Sequence, residues 1–261
     1  MGGLSPEAER VRARRDGTCT PRSPQRAGPA AWRPAVAPPT PHRLAADLGG
    51  RLPPRGARIG LLGGSFNPAH GGHRRISHAA LQRLGLDEVW WLVSPQNPLK
   101  PRSGMAPLET RLTTAQAVIA GHPRLRATAV EGTLGTLYTA DTIAALCQRF
   151  PGVRFVWLMG ADNLAQIDRW HRWRAIFESV PIAVLDRPAY SYSVTSAKAA
   201  IRYGHARIAE EAARRLAEAT PPAWVFVHQP RDPRSATRIR ARKTGTEGAP
   251  CEPAGRTPTR F

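Results

Sequence analysis

Cysteine is scarce in this chain: Cys19, Cys147 and Cys251 lie far apart, odd in number and in no metal-type spacing. That usage excludes a disulfide-stapled scaffold and suits a reducing cytosol. Long apolar runs are missing as well, so no segment reads as a membrane span. Lysine is nearly absent, since only Lys100, Lys198 and Lys243 stand among 38 basic residues and the other 35 are arginine. Acidic residues number 19, which leaves a net charge of +19. A charge of that size invites a nucleic-acid partner. The basic residues are spread along the chain, however, and the richness in Arg, Ala, Pro and Gly is a general compositional bias. We therefore expect affinity for polyanions such as ATP, and no dedicated nucleic-acid partner. No internal repeat is evident.

Residues 1–55 are rich in Arg, Pro and Ala, punctuated by Pro38-Pro39-Thr40-Pro41 and Pro53-Pro54. With hardly any periodic apolar pattern, they read as a disordered extension. They carry no apolar core of a secretory leader, and Glu7, Glu9 and Asp16 count against an organelle-targeting peptide. Residues 56–242 read as one domain, and 243–261 as a second polar, disordered tail. Within the domain, apolar runs alternate with helical patterns. Strands are expected at 58–63, 88–93, 125–130, 153–159, 181–185 and 224–229. Helices are expected at 72–84, 107–120, 138–149, 172–178, 195–218 (broken near Gly204) and 235–242. The alternation predicts an α/β fold with a parallel sheet covered on both faces. Ligands of such sheets bind beyond the carboxyl ends of the strands, so the segments after each strand carry the chemistry.

The segment after the first strand is Gly63-Gly64-Ser65-Phe66-Asn67-Pro68-Ala69-His70-Gly71-Gly72-His73. It reads as strand, glycine turn and helix start, with His70 and His73 on one helix face. Glycines let backbone N–H groups approach a ligand, and a helix N-terminus adds unpaired donors and a positive dipole. Together these suit a phosphate with two imidazoles placed on it. Taken alone, a glycine pair is more often a tight turn, and two histidines three apart could be surface residues or half a metal site. Neither a Walker loop nor a dinucleotide fingerprint is present.

Later loops carry further candidates, each with a plainer reading beside it. Asn97-Pro98-Leu99-Lys100 follows the second strand, and Lys100 is either a phosphate contact or a solvated lysine. Tyr138-Thr139-Ala140-Asp141-Thr142 opens a helix that Thr139 or Asp141 could simply cap. Gly160-Ala161-Asp162-Asn163 follows the fourth strand, where an Asp meets ribose hydroxyls or caps the next helix. Trp170 and Trp173 are core residues or a ring platform, with the core favoured for Trp173. Ser235, Thr237 and Arg240 form a hydroxyl-and-arginine cradle at another helix start.

The glycine–histidine segment resembles the G-x-F-D-P-x-H-x-G-H signature of the nucleotidyltransferase superfamily, with Asn67 in the place of the usual Asp. Five motifs in order over 58–242 make the chain similar to bacterial nicotinate-nucleotide adenylyltransferases. The others are N-P-x-K, Y-T-x-D-T, G-A-D-N with W-x-x-W, and a version of I-S-S-T-x-I-R in which Arg234 and Ala236 depart. The resemblance implies a doubly wound, Rossmann-like parallel sheet of the nucleotidyltransferase type. It implies transfer of AMP from ATP to nicotinate mononucleotide, with Mg²⁺ accompanying ATP and no dedicated protein metal site. His70 and His73 would be catalytic, and Gly63, Gly64, Ser65, Phe66, Lys100, Gly160, Asp162, Ser235, Thr237 and Arg240 would bind ATP and its phosphates. Tyr138, Thr139, Asp141 and Trp170 would hold the acceptor. The expected setting is cytoplasmic, with no membrane partner and a homo-oligomer left open. Two alternatives stand beside this. One is a related transferase for nicotinamide mononucleotide or phosphopantetheine, and the other a non-catalytic basic RNA-binding protein.

Overall fold

A computed structural model describes residues 40–95, 104–186 and 196–228. The chain divides into two units, Met1–Ala31 and Trp32–Phe261, and everything described belongs to the second. Six strands form its sheet: β1 Arg58–Gly64, β2 Glu88–Val93, β3 Leu125–Thr128, β4 Arg154–Gly160, β5 Ile182–Leu185 and β6 Trp224–Val227. Their order is β3-β2-β1-β4-β5-β6, and every pairing is parallel. The sheet therefore winds outward in both directions from β1 and β4. β2, β5 and β6 are buried along their whole length, as strands covered on both faces must be.

The helices are α1 Pro41–Asp47, α2 Gly71–Arg83, α3 Leu108–Ile119, α4 Val130–Leu134, α5 Thr139–Arg149, α6 Ala161–Leu164, α7 Trp173–Ser179 and α8 Lys198–Arg202. Short 3₁₀ turns lie at Ile167–Arg169, Gly204–Ala206 and Glu210–Glu218. Each sheet face has its own core. Ile59, Leu61, Trp90 and Trp157 pack on one side with Ile143, Leu146, Ile176 and Phe177. Leu62, Trp91, Val156 and Leu158 pack on the other with Leu81, Leu84 and Leu216. Gly60 is required between them, because a Cβ there would come within 2.8 Å of Leu158 and Leu86.

Three expectations need correction. The extension 1–55 is not without structure throughout, since α1 lies inside it. Thr40 accepts from the Arg43 N–H, Pro41 takes the first turn, and Gly49 and Gly50 close the helix at φ +73° and +83°. The Gly50 and Gly49 N–H groups donate to Ala45 and Ala46 carbonyls, the closing pattern of a left-handed cap. Leu44 and Leu48, four residues apart, bury completely against the sheet. Arg126 fixes the exit by donating to the Leu48 and Arg51 carbonyls while Glu88 pairs with both Arg126 and Arg51. One leucine within the helix and one at its C-cap are too few to show a period.

The strand expected at 125–130 stops at Thr128, whose hydroxyl accepts from the Val130 N–H and starts α4. The long helix expected at 195–218 is three short pieces. Its break extends past Gly204 because Ile208 donates to the Trp224 carbonyl at 2.8 Å, drawing residues 207–208 into an extended run beside β6. The helix expected at 235–242 lies outside the described residues.

Candidate functional site

Strand order reverses between β1 and β4, so their carboxyl ends open the crevice where α/β sheets take ligands. β1 ends in Gly63 and Gly64, and α2 begins seven residues after Gly64. The turn between them is held by Phe66, a buried residue in the left-handed region at φ +44°. That conformation costs an ordinary side chain energy, and packing holds it there. The Phe66 ring stacks on Trp91 at 5.0 Å and tilts against His73 at 4.9 Å. A Cβ on Gly64 would stand 3.3 Å from that ring. A Cβ on Gly63 would lie 2.4 Å from the Trp157 ring, so Gly63 is demanded by packing whatever else it does.

His70 is the N-cap of α2. Its Nδ1 accepts the Gly72 N–H at 3.1 Å, and its own N–H donates to His73 Nδ1 at 3.3 Å. Two histidines thus form the reciprocal cap that Ser and Glu usually make. With Nδ1 occupied as acceptor on both, the neutral rings carry their protons on Nε2. The ring centroids lie 4.0 Å apart, so two imidazoles sit side by side at a helix N-terminus. Ser77 braces this arrangement, donating to the His73 carbonyl at 2.9 Å and accepting from Trp91 Nε1 at 2.7 Å. Asn67 uses both ends of its amide, donating to the Gly104 carbonyl and accepting from the Ala106 N–H. A carboxylate could not donate there, which accounts for the amide in this chain.

Arg111 was not among the sequence candidates. It sits on α3 within the apolar stripe Leu108, Leu112, Ala115 and Ile119, and that placement was its only signal. It is 2% exposed and donates to four backbone carbonyls. These belong to Ala106 and Ser65 (2.9 and 2.7 Å), and to Ser94 and Pro95 (2.7 and 3.0 Å). One guanidinium therefore ties the loop after β1 to the loop after β2. Burial pulls its pKa down, yet an arginine keeps its charge.

Of the acceptor candidates, Tyr138 and Asp141 both meet the segment 171–172. Tyr138 caps α5 by backbone alone, with no side-chain hydrogen bond, so neither Thr139 nor Asp141 serves as the N-cap. The first N–H groups of α5 therefore have no side-chain partner at that cap. Asp141 pairs with Arg172 at 3.1 Å, and Tyr138 lies against His171 with ring centroids 4.3 Å apart. His171 was another residue missed in the sequence, hidden between two tryptophans. Trp170 meets Trp157 edge-on at 6.4 Å, and Trp173, half-buried, packs against Phe177 and Tyr203 at the edge of the core. Gly160 ends β4 opposite Leu185, and Asp162 enters the first turn of α6. Lys100, Ser235, Thr237 and Arg240 lie outside the described residues.

Among the described residues no three His, Cys, Asp or Glu side chains converge as a metal site. No helix among them is long and apolar enough to cross a membrane. Cys147 is half-buried and its thiol is pushed up to about 11 by burial, which leaves it inert as a nucleophile.

A family model described as cytidylyltransferase-like matches residues 61–242. A Cereibacter sphaeroides protein named probable nicotinate-nucleotide adenylyltransferase is 55% identical over 183 residues, covering 70% of this chain and 96% of its own. A Methylorubrum extorquens protein of the same name is 50% identical over 185 residues, 71% of this chain and 100% of its own. Among solved structures, the nicotinic acid mononucleotide adenylyltransferase of Plasmodium falciparum, complexed with NaAD, superposes with a TM-score of 0.53 at 14% identity. That likeness covers 70% of this chain and 82% of the other, and concerns the fold. Sheet order, histidine cap and the match along the whole domain agree, and the chain belongs to the nicotinate-nucleotide adenylyltransferase family.

Proposed function

We propose that this chain transfers the AMP moiety of ATP to nicotinate mononucleotide, giving deamido-NAD and pyrophosphate. The observation that carries it is the paired Nε2 donors of His70 and His73 at the start of α2, beside the β1–β4 reversal. The acceptor's 5′-phosphate oxygen attacks the α-phosphorus of ATP in line. The new P–O bond forms as the bond to the β-phosphate oxygen breaks, and pyrophosphate leaves. Charge grows on the non-bridging and leaving oxygens, where fixed donors stabilise it, and no enzyme nucleophile is needed.

His70 and His73 donate to those oxygens, and backbone N–H groups of Gly64 and Ser65 hold phosphate. Gly63 and Phe66 shape that turn. Gly160 and Asp162, at the end of β4, suit the nucleoside side of ATP. Lys100, Ser235, Thr237 and Arg240 would complete the phosphate contacts. ATP enters as its Mg²⁺ complex, with the ion held by phosphates and water as part of the substrate. Tyr138, Thr139, Asp141 and Trp170 flank the acceptor, and a reducing cytoplasm is the expected setting. Pyrophosphate release, measured with ATP and a panel of nicotinate mononucleotide, nicotinamide mononucleotide and phosphopantetheine, tests the reading. Highest kcat/KM with nicotinate mononucleotide is expected; no turnover with any acceptor overturns it.

A further inference from the structure

Glu131 is the first acidic residue of α4 and is 6% exposed, at the carboxyl end of the sheet just past β3. Its Oε1 accepts from the Thr142 hydroxyl at 3.4 Å, and Thr142 in turn lies 2.9 Å from the Thr136 hydroxyl. Its backbone carbonyl accepts the Thr136 N–H at 3.0 Å. Its carboxyl is also hydrogen-bonded by Ser94, the residue whose carbonyl Arg111 holds. Glu131 Oε2 is buried and has no hydrogen-bond partner. A continuous set of contacts therefore runs from Ser65 through Arg111, Ser94 and Glu131 to Thr136, Thr142 and the carbonyl of Tyr138.

Resting on the acceptor reading given above, we propose that Glu131 is a positioning residue that locks the acceptor segment 136–142 to the loop after β2. It touches neither substrate. A carboxylate with one oxygen buried and unpaired is expensive, whereas the neutral acid carries no such charge. Burial accordingly pushes this carboxyl up to about 7, against the opposing pull of Ser94 and Thr142. The charged groups on neighbouring elements are His42, Arg43 and Asp47 of α1, Glu88 of β2, and Asp141 and Arg149 of α5. Glu88 is held by Arg126 and Arg51, and Asp141 by Arg172. None of the six hydrogen-bonds to the Glu131 carboxyl. Ionisation above neutrality would put a charge in a closed space and loosen the turn at 135–138.

Two measurements on wild type and Glu131→Gln, from pH 6 to 9, decide this. The first is amide hydrogen exchange over 136–142, corrected for the intrinsic pH dependence. Protection should fall above pH 7 in wild type and stay level in the amide variant. The second is the acceptor KM, which should rise at least about threefold across neutrality in wild type, with little change in kcat, and stay flat in Glu131→Gln. Substrate and every other ionisable group are common to both proteins, so the difference between the two carries the assignment. Identical pH dependence of exchange in both overturns the lock. A wild type that makes no dinucleotide at all overturns the acceptor reading, and the exchange comparison then still decides the lock.

Discussion

A histidine that both caps a helix and donates to a phosphate does two jobs that substitution can separate. Asn is among the best N-caps, so His70→Asn should keep the Gly72 contact and lose only the Nε2 donor. We expect its melting temperature to stay within a few degrees of wild type while kcat falls on the order of 10²–10³-fold. His73→Ala should lose rate on the same scale. Thermal melts beside initial rates check both, and turnover within about threefold of wild type would make the pair structural caps. These two residues were legible in the sequence because a dense motif surrounds them. Arg111 and Glu131 were not, since each is a single polar residue facing inward on a helix. Their importance lies in carbonyls and hydroxyls that come from distant segments.

At the scale of elements, α1 carries the clearest lesson. Most strands were legible because they are compact apolar runs, β3 with its Arg126 being the exception, and the three longer helices, α2, α3 and α5, are long enough to show a 3.6-residue period. A seven-residue helix with one buried leucine and a second at its C-cap offers no such period, and Glu88 and Arg126, which hold its exit, lie on β2 and β3. Truncation separates the consequences. A chain starting near Thr40 should melt like the full protein. A chain starting at Arg51 exposes the surface that Leu44 and Leu48 cover, at about 1.5–3 kcal/mol for each side chain. Its melting temperature should drop by several degrees, as scanning calorimetry of the two truncations would register. Equal melts would mean that α1 only rests on the sheet. The break at 207–208 was likewise hidden, because it depends on a hydrogen bond to Trp224.

For the molecule as a whole, acceptor choice and pH response follow from how the parts are joined. On the proposed acceptor reading, the first turn of α5, which no side chain caps, offers backbone N–H donors that favour a carboxylate over a carboxamide. An amide NH₂ facing such donors leaves them unpaired, at roughly 1–3 kcal/mol for each buried group. We therefore expect kcat/KM for nicotinate mononucleotide to exceed that for nicotinamide mononucleotide by about tenfold or more. Steady-state kinetics at one ATP concentration measure the ratio, and a value near one removes the acid preference. The Glu131 carboxyl, raised to about 7, makes the folded state bind a proton that the unfolded chain has already released. Its favourable contribution is whole below the ordinary carboxylate range and is lost as pH climbs to about 7, with no further change beyond. Glu131→Gln should therefore gain melting temperature relative to wild type between pH 4.5 and 7, then hold a constant offset. An offset independent of pH across that range would contradict the assignment.

Trp91 has a consequence of another kind. Its indole is stacked on Phe66, donates to Ser77 and lies 5.8 Å from the His73 ring. Indole emission responds to the local field and to neighbouring imidazoles. A polyanion bound at the histidine pair, as proposed above, should change both at once, so Trp91 should act as a built-in optical reporter and let nucleotide occupancy be followed by intrinsic light without any label.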